Sequence, residues 1–291
     1  MQQADEILKT LMEAVAAGAA EVLATKLAHS VEAEYKDAKE LVTTADKRSD
    51  AAISSVFRQR FSVLDSTIVF QLEESGFSNV PGSRIAGADP LDGTNHFACG
   101  GNMYSIQAHY VQDGVPHVGV VFQPEVYLPL DEDVHCVGRV SYATRGGGAF
   151  VRRSLFNGKG FEFEAARPLK KLDRPSTRSY VACVPISTKM SPQERARAVK
   201  VLCSGLMATT TGTGGAGGNI LMAIHGGQHV YANFGAGEDL DLIPPQVIAE
   251  EAGMTVWGVG RVPPVWHCRK QPVVVAPTTE IAELFLKAAG L

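Results

Sequence analysis

The sequence predicts an α+β layered sandwich, and three observations carry that prediction. Helical stripes open and close the chain. Alternating segments near residues 104–122 return on one another through a tight turn, which makes the strands largely antiparallel. Beyond residue 179, short apolar runs alternate with helical patterns. The 291 residues are 45% hydrophobic and 20% charged, enough for one large domain or two intimately packed ones.

Taken in order, residues 5–28 place Leu8, Leu11, Met12, Val15, Ala19, Val22 and Leu23 on one helical stripe. A charged connection, EAEYKDAKE, leads to VTTAD and a second helix with Ile53, Val56 and Phe57 on one face. The apolar run Thr67–Phe70 is expected as a buried strand ending at Glu73-Glu74. Tyr104, Ile106, Ala108 and Tyr110 alternate with polar residues, Asp113-Gly114 signals a hairpin, and residues 118–122 return. The glycines at 146–148 and the basic-polar stretch 152–178 divide the chain into an N-terminal subdomain, 1–155, and a C-terminal one, 156–291. The second part is read as a strand at 179–184, a helix from Pro192, a glycine-rich loop, a helix near 219–226 and a strand at 228–234. A helix at 245–252, a strand at 272–276 and a terminal helix complete it.

Composition excludes several function classes. With 27 basic and 31 acidic residues and no long basic run, the chain lacks the cationic face that a nucleic-acid polymer requires. The five cysteines (Cys99, Cys136, Cys183, Cys203, Cys268) are odd in number and show no C-x-x-C spacing, which points to free thiols in a reducing compartment. No stretch approaches 18 consecutive apolar residues, and the first residues lack the pattern of a signal peptide, so a cytoplasmic location without membrane attachment is expected.

Acidic residues cluster at element ends: Asp46, Glu73-Glu74, Asp89 and Asp92 in ADPLDGT, and Asp239/Asp241 in GEDLD. Each alone reads as a solvated turn. Together they supply the oxygen-rich coordination that hard divalent ions take, and two such ions can clamp a phosphoryl transfer. Gly93-Thr94 opens a helix whose free N–H groups suit an anion.

The stretches VTTAD (42–46), EES (73–75), DPLDGT (89–94) and DLIPPQVIAEEAG (241–253) resemble, in order and approximate spacing, the motifs of the inositol monophosphatase superfamily of Mg²⁺-dependent, lithium-sensitive phosphatases. The resemblance implies a layered αβαβα sandwich of the inositol monophosphatase/fructose-1,6-bisphosphatase type and, commonly, a homodimer. It makes Glu73, Asp89 and the Leu91 carbonyl ligands of one metal, with Asp89 bridging to a second held by Asp92 and Asp241. Asp241 is taken over Asp239 because it stands ten residues before Glu251 of the EAG motif. Two or three Mg²⁺ ions are implied, with Mn²⁺ as a substitute. Asp46 and Thr94, with Glu73, form the implied catalytic set around an attacking water. Glu74 takes a supporting role, and the N–H groups of Gly93 and Thr94 hold phosphate. The implied activity is hydrolysis of a small phosphorylated metabolite: a sugar phosphate, a nucleotide 3′-phosphate or an inositol phosphate. A catalytically retired homologue that binds a phosphorylated ligand or a protein partner is the alternative.

The chain also departs from that pattern. Leu240 replaces a tryptophan, and Pro244 is expected in the first turn of its helix, where a missing N–H is tolerated. Gly214, Gly215 and Ala216, in the run GTGGAGGN, fall beside the implied substrate, but Gly215 lacks the usual hydroxyl. Asn233 stands where inositol phosphatases carry a glutamate that reads sugar hydroxyls, which predicts that myo-inositol 1-phosphate is a poor substrate. Glu238 is the other candidate for that acidic role. His96 is read as a rim residue, Trp257 and Trp266 as core, and Lys36/Lys39 as a solvated charge cluster or a loop closing over the site.

Overall fold

In a computed structural model the chain is described over residues 2–36, 40–77, 83–127, 136–173, 179–187, 189–210, 214–235, 237–261 and 271–291. Cys268, Trp266 and Lys39 lie outside the described residues. The first helix, α1 (Gln2–Leu27), is followed by the hairpin β1 (Ala33–Tyr35) and β2 (Leu41–Thr43), then by α2 (Thr44–Leu64). Next come β3 (Val69–Leu72), β4 (Gly76–Phe77), β5 (Arg84–Asp92) and the short helix α3 (Thr94–Ala98). A run of strands continues with β6 (Ser105–Gln112), β7 (Val115–Tyr127), β8 (Cys136–Thr144), β9 (Gly148–Phe156), β10 (Phe161–Phe163) and β11 (Arg167–Leu169). The rest comprises β12 (Tyr180–Cys183), α4 (Pro192–Leu202), β13 (Met207–Thr210), α5 (Ala216–His225), β14 (Val230–Asn233), α6 (Asp239–Glu251), β15 (Thr255–Trp257), β16 (Val273–Ala276) and α7 (Thr279–Ala289).

A nine-stranded sheet runs in the order β10-β9-β8-β7-β6-β5-β3-β4, with β11 also on β9; a five-stranded sheet runs β13-β12-β14-β16-β15. Apart from β3 on β5 and β12 on its two neighbours, the pairings within these two sheets are antiparallel. The β6–β7 turn has positive φ at both Asp113 and Gly114, as a two-residue hairpin that follows strand twist requires.

Three apolar clusters define five layers. Leu11, Val15, Phe57 and Phe61 of α1 and α2 pack on one face of the large sheet, against Ile106, Ala108 and Phe122. Ile220 and Leu221 of α5 and Ile243 and Val247 of α6 fill the space between the sheets, touching the cluster of Val111, Val121, Val273 and Val275. Val201 of α4 and Phe285 and Leu286 of α7 cover the outer face, against Ala182, Ala232 and Val274. The order is α-β-α-β-α, the layered sandwich expected. Because β16 is covered on both faces, it reads as an unbroken apolar run.

Two expectations change. The glycines at 146–148 close the β8–β9 hairpin and do not separate subdomains: Gly146 and Gly148 donate to the two carboxylate oxygens of Glu251, at 2.7 and 2.9 Å. Sheet membership changes between Leu169 and Tyr180, whereas residue 155 lies inside β9. Helix α6 starts at Asp239, six residues before the expected 245, so Pro244 and Pro245 sit beyond its first turn. Each lacks the N–H that would bond the carbonyl four residues back, which frees those of Leu240 and Asp241. Gln107 Nε2 donates to the Asp241 carbonyl at 3.4 Å, and Gly119 of β7 leaves room for the Pro244 carbonyl.

Candidate active site

A cleft of about 690 Å³ opens where the two halves meet, lined among others by Glu73, Asp89, Leu91, Asp92, Gly93, Thr94, Gly214, Gly215, Ala216, Asn233 and Asp241. The local reason starts in β5. Side chains alternate along a strand, so residues three apart point to opposite faces. Here Asp89 pairs with Gln107 and Asp92 with Ser105, leaving Pro90 and Leu91 opposite Ile106 alone. Proline cannot donate to the ladder and favours such a bulge. The extra residue resets the alternation and brings both aspartates to one side. Ser49 Oγ holds the bulge by donating to the Pro90 carbonyl at 2.9 Å.

Helix N-termini position the other carboxylates. Asp46 is the third residue of α2 and accepts from Thr43 N–H at 2.8 Å and Thr43 Oγ1 at 2.5 Å. Asp241 holds the same position in α6 and accepts from Glu238 N–H at 2.8 Å. Both are capping arrangements that sequence spacing alone permits. Asp92 meets the start of α5: Ala216 N–H donates to Oδ1 at 3.0 Å, Gly217 N–H to Oδ2 at 2.8 Å, and Ser105 Oγ to Oδ2 at 3.0 Å. A Cβ at Gly215 would strike the Asp92 carboxylate, and one at Gly214 the Met103 carbonyl. These glycines are dictated by close approach.

Oxygens of Asp89, Asp92 and Asp241 lie within 4.8 Å of one another. Burial, then the charges of Glu73, Asp92 and Asp241, push the Asp89 carboxyl well above its usual range. Burial, then Asp92, raise Asp241 to about 7. Burial raises Asp92 to about 6 against the hydrogen bonds of Gly217, Ser105 and Ala216. Three converging acids, each resisting ionisation, and a set of hard oxygen donors are what a divalent cation relieves.

Glu73 follows β3 directly and borders the cleft; burial raises its pKa while Lys36 Nζ, at 3.4 Å, opposes the rise. Glu74 pairs with the same ammonium. Lys36 therefore sits on the two glutamates and is not part of a separate solvated cluster. Thr94 Oγ1 lies 2.9 Å from Asp46 Oδ1 and 3.0 Å from the Leu91 carbonyl. Burial raises the Asp46 carboxyl against the hydrogen bonds from Thr43 and Thr94. Gly93 caps α3 with φ of 101°, a conformation that favours glycine. Asn233 lines the cleft with its amide engaged: Oδ1 accepts from Gly235 N–H at 2.9 Å and Nδ2 donates to Tyr231 Oη at 3.0 Å. Glu238 is the residue that caps α6, and exposed His96 stands at the cleft's edge. Trp257 packs partly buried against the outer cluster.

Four contributors escaped sequence reading. Ser105 and Gln107 lie on the polar side of the β6 alternation, which the helix layer buries completely. Glu40 and Lys189 line the cleft from opposite halves and pair at 2.8 Å.

A layered sandwich whose cleft holds a buried carboxylate cluster, drawn from a strand bulge and a helix N-terminus, defines a protein with a candidate divalent-cation centre. The pattern of the inositol monophosphatase family matches residues 3–290, and the chain belongs to that family, a family of phosphatases. It is 32% identical over 143 residues to a fructose-1,6-bisphosphatase/inositol-1-monophosphatase of Thermotoga maritima; that match spans 49% of this chain and about half, 47%, of the relative. Solved structures share the fold. The Thermotoga maritima IMPase superposes with a TM-score of 0.70 at 20% identity, covering 100% of this chain and 97% of that one. The extragenic suppressor protein SuhB of Bartonella henselae gives 0.71 at 16% identity, over 98% and 97%. The inositol monophosphatase of Anabaena (Nostoc) gives 0.69 at 18%, over 97% and 94%.

Proposed function

We propose that the protein is a Mg²⁺-dependent phosphomonoesterase acting on a small phosphorylated metabolite: a sugar phosphate, a nucleotide 3′-phosphate or an inositol phosphate. The observation that carries this reading is the convergence of Asp89, Asp92 and Asp241 within 4.8 Å, beside a hydroxyl–carboxylate pair. Glu73, Asp89 and the Leu91 carbonyl would hold one ion, and Asp89, Asp92 and Asp241 a second. Glu74 would support a third, and Mn²⁺ would serve in place of Mg²⁺. When bound, such ions lower the pKa of water and neutralise charge on a phosphoryl group.

The chain's own residues supply the rest. Thr94 has one hydroxyl hydrogen and two acceptors in reach, Asp46 Oδ1 and the Leu91 carbonyl. Donation to Asp46 leaves Thr94 Oγ1 ready to take a proton from the attacking water while its own hydrogen passes to Asp46 Oδ1. The raised Asp46 pKa favours that transfer. The backbone N–H groups of Gly93 and Thr94 hold phosphate oxygens. Gly214, Gly215 and Ala216 form the wall beside the organic part of the ester. A homodimer and lithium sensitivity accompany this reading, as does a cytoplasmic setting; among the described residues no helix is long and apolar enough to cross a membrane.

Phosphate release from a panel of phosphomonoesters, with Mg²⁺, with Mn²⁺ and with chelator, tests the reading. Release that requires the divalent ion is expected. A folded protein that cleaves none of the esters in Mg²⁺ would overturn it.

A further inference from the structure

A cleft of about 690 Å³ has room for more than a phosphate, so some wall of it must read the organic part of the ester. Asn233 does not offer free groups for that task. Its amide is engaged at both ends by Gly235 and Tyr231, and only 1% of the residue is exposed. Among the described lining residues, the carboxylate that stands apart from Glu73, Asp89, Asp92 and Asp241 is Glu40. It lies just ahead of β2, on the wall built by the first half of the chain. Across from it, Lys189 comes from the segment between β12 and α4, on the wall built by the second half. Their charged ends meet at 2.8 Å, with 34% of each side chain exposed.

This pairing has the chemistry of a polyol reader. A carboxylate accepts from one hydroxyl while the adjacent ammonium donates to its neighbour, so the two together fit a vicinal diol. An ion pair about a third exposed contributes little to stability, and exchanging part of it for substrate hydroxyls costs little. The full negative charge that position 233 lacks is thereby present in the cleft at position 40.

We infer that Glu40 and Lys189 jointly read the hydroxyl-bearing end of the substrate and are specificity-determining residues of the cleft. This inference rests on the phosphatase reading. It reverses the expectation, drawn from Asn233, that a bare polyol phosphate is poorly recognised.

The test compares kcat/KM for myo-inositol 1-phosphate with that for 4-nitrophenyl phosphate, an ester with no hydroxyls on its leaving group, in the wild type, E40Q and K189M. Urea unfolding midpoints establish that each variant is folded. The ratio of the two values is expected to fall about tenfold or more in both variants, the size of a lost hydrogen bond to a charged group. Equal losses for both esters would overturn the inference. So would a gain for E40Q, with a loss for K189M, on a bisphosphorylated sugar, because Lys189 would then be holding a second anion. If the wild type cleaves neither of these two esters, the wider panel decides the phosphatase reading, and thermal stabilisation in Mg²⁺ decides the pair. A greater stabilisation by myo-inositol 1-phosphate than by 4-nitrophenyl phosphate, lost in E40Q, supports it; no difference between wild type and E40Q overturns it.

Discussion

Replacing Asp92 by asparagine separates charge from shape at the centre of the cluster. The carboxylate accepts three hydrogen bonds, from Ala216 N–H on Oδ1 and from Gly217 N–H and Ser105 Oγ on Oδ2. The amide can keep the two bonds on one side by placing its oxygen at Oδ2, but its NH₂ then faces the Ala216 N–H. One buried donor left unpaired costs about 1–3 kcal/mol. An opposing effect has similar size. Moving a carboxyl from 3.8 to about 6 weighs on the order of 3 kcal/mol against its ionised form at neutral pH, and asparagine has no such form. In chelator, Asp92→Asn is therefore expected to unfold in urea within about 2 kcal/mol of wild type, from the difference of those two effects. Turnover in Mg²⁺ is expected to fall at least about a hundredfold, the scale for loss of a group that stabilises transition-state charge. Phosphate release and urea denaturation on the same preparations check both halves. A folded variant with near-normal turnover would refute the assignment of Asp92 as a metal ligand.

Thr94→Ala should lower kcat about a hundredfold with a smaller change in KM, since it removes the hydroxyl facing Asp46 and leaves the Gly93 and Thr94 backbone in place; steady-state kinetics decide, and a change confined to KM would make the residue a binding group only. His109 is fully buried on β6 with neither ring nitrogen partnered among the described residues, and burial depresses its pKa to about 3. The unfolded chain therefore binds a proton that the folded one refuses between pH about 3 and 6.5, and wild type loses stability as pH falls through that window. At pH 5 the loss relative to pH 7.5 amounts to about 2 kcal/mol. His109→Phe should remove that increment; urea unfolding of both proteins at the two pH values measures it, and parallel pH dependence would refute the assignment.

How far the site was legible depended on whether chemistry lay within a few residues of chain. DPLDGT and VTTAD carry their acids on element ends; Asp89 and Asp92 line the cleft, and Asp46 stands behind Thr94, which lines it too. The bulge that turns Asp89 and Asp92 to one side is less visible, although Pro90 within a strand was a signal for it. The alternation of β6 predicts a hairpin strand with one polar side. The α5/α6 layer covers that side, so Ser105, Gln107 and His109 are buried polar residues, the first two bonded to Asp92 and to the Asp241 carbonyl. No spacing rule could disclose such covering, because it depends on elements more than a hundred residues away. By sequence the glycines at 214 and 215 are a glycine-rich loop with a missing hydroxyl; their reason is the nearness of the Met103 carbonyl and of Asp92, tertiary contacts. Glu40 and Lys189, 149 positions apart, meet only once both halves are folded.

The central helix layer has a consequence for how the molecule acquires its competence. Helices α5 and α6 lie between the two sheets, and each delivers part of the acidic cluster: α5 by holding Asp92, α6 by carrying Asp241. The partners of these groups on β5 and β6 lie in the first half of the chain. Contacts of such large sequence separation form late, after the entropy of closing a long loop has been overcome. The first half alone would carry Asp89 and Asp92 and yet lack Asp241 and the two N–H groups that hold the Asp92 carboxylate. The acidic cluster is complete only when both halves are docked. A cation held by residues from both halves would act as a clasp that resists their separation.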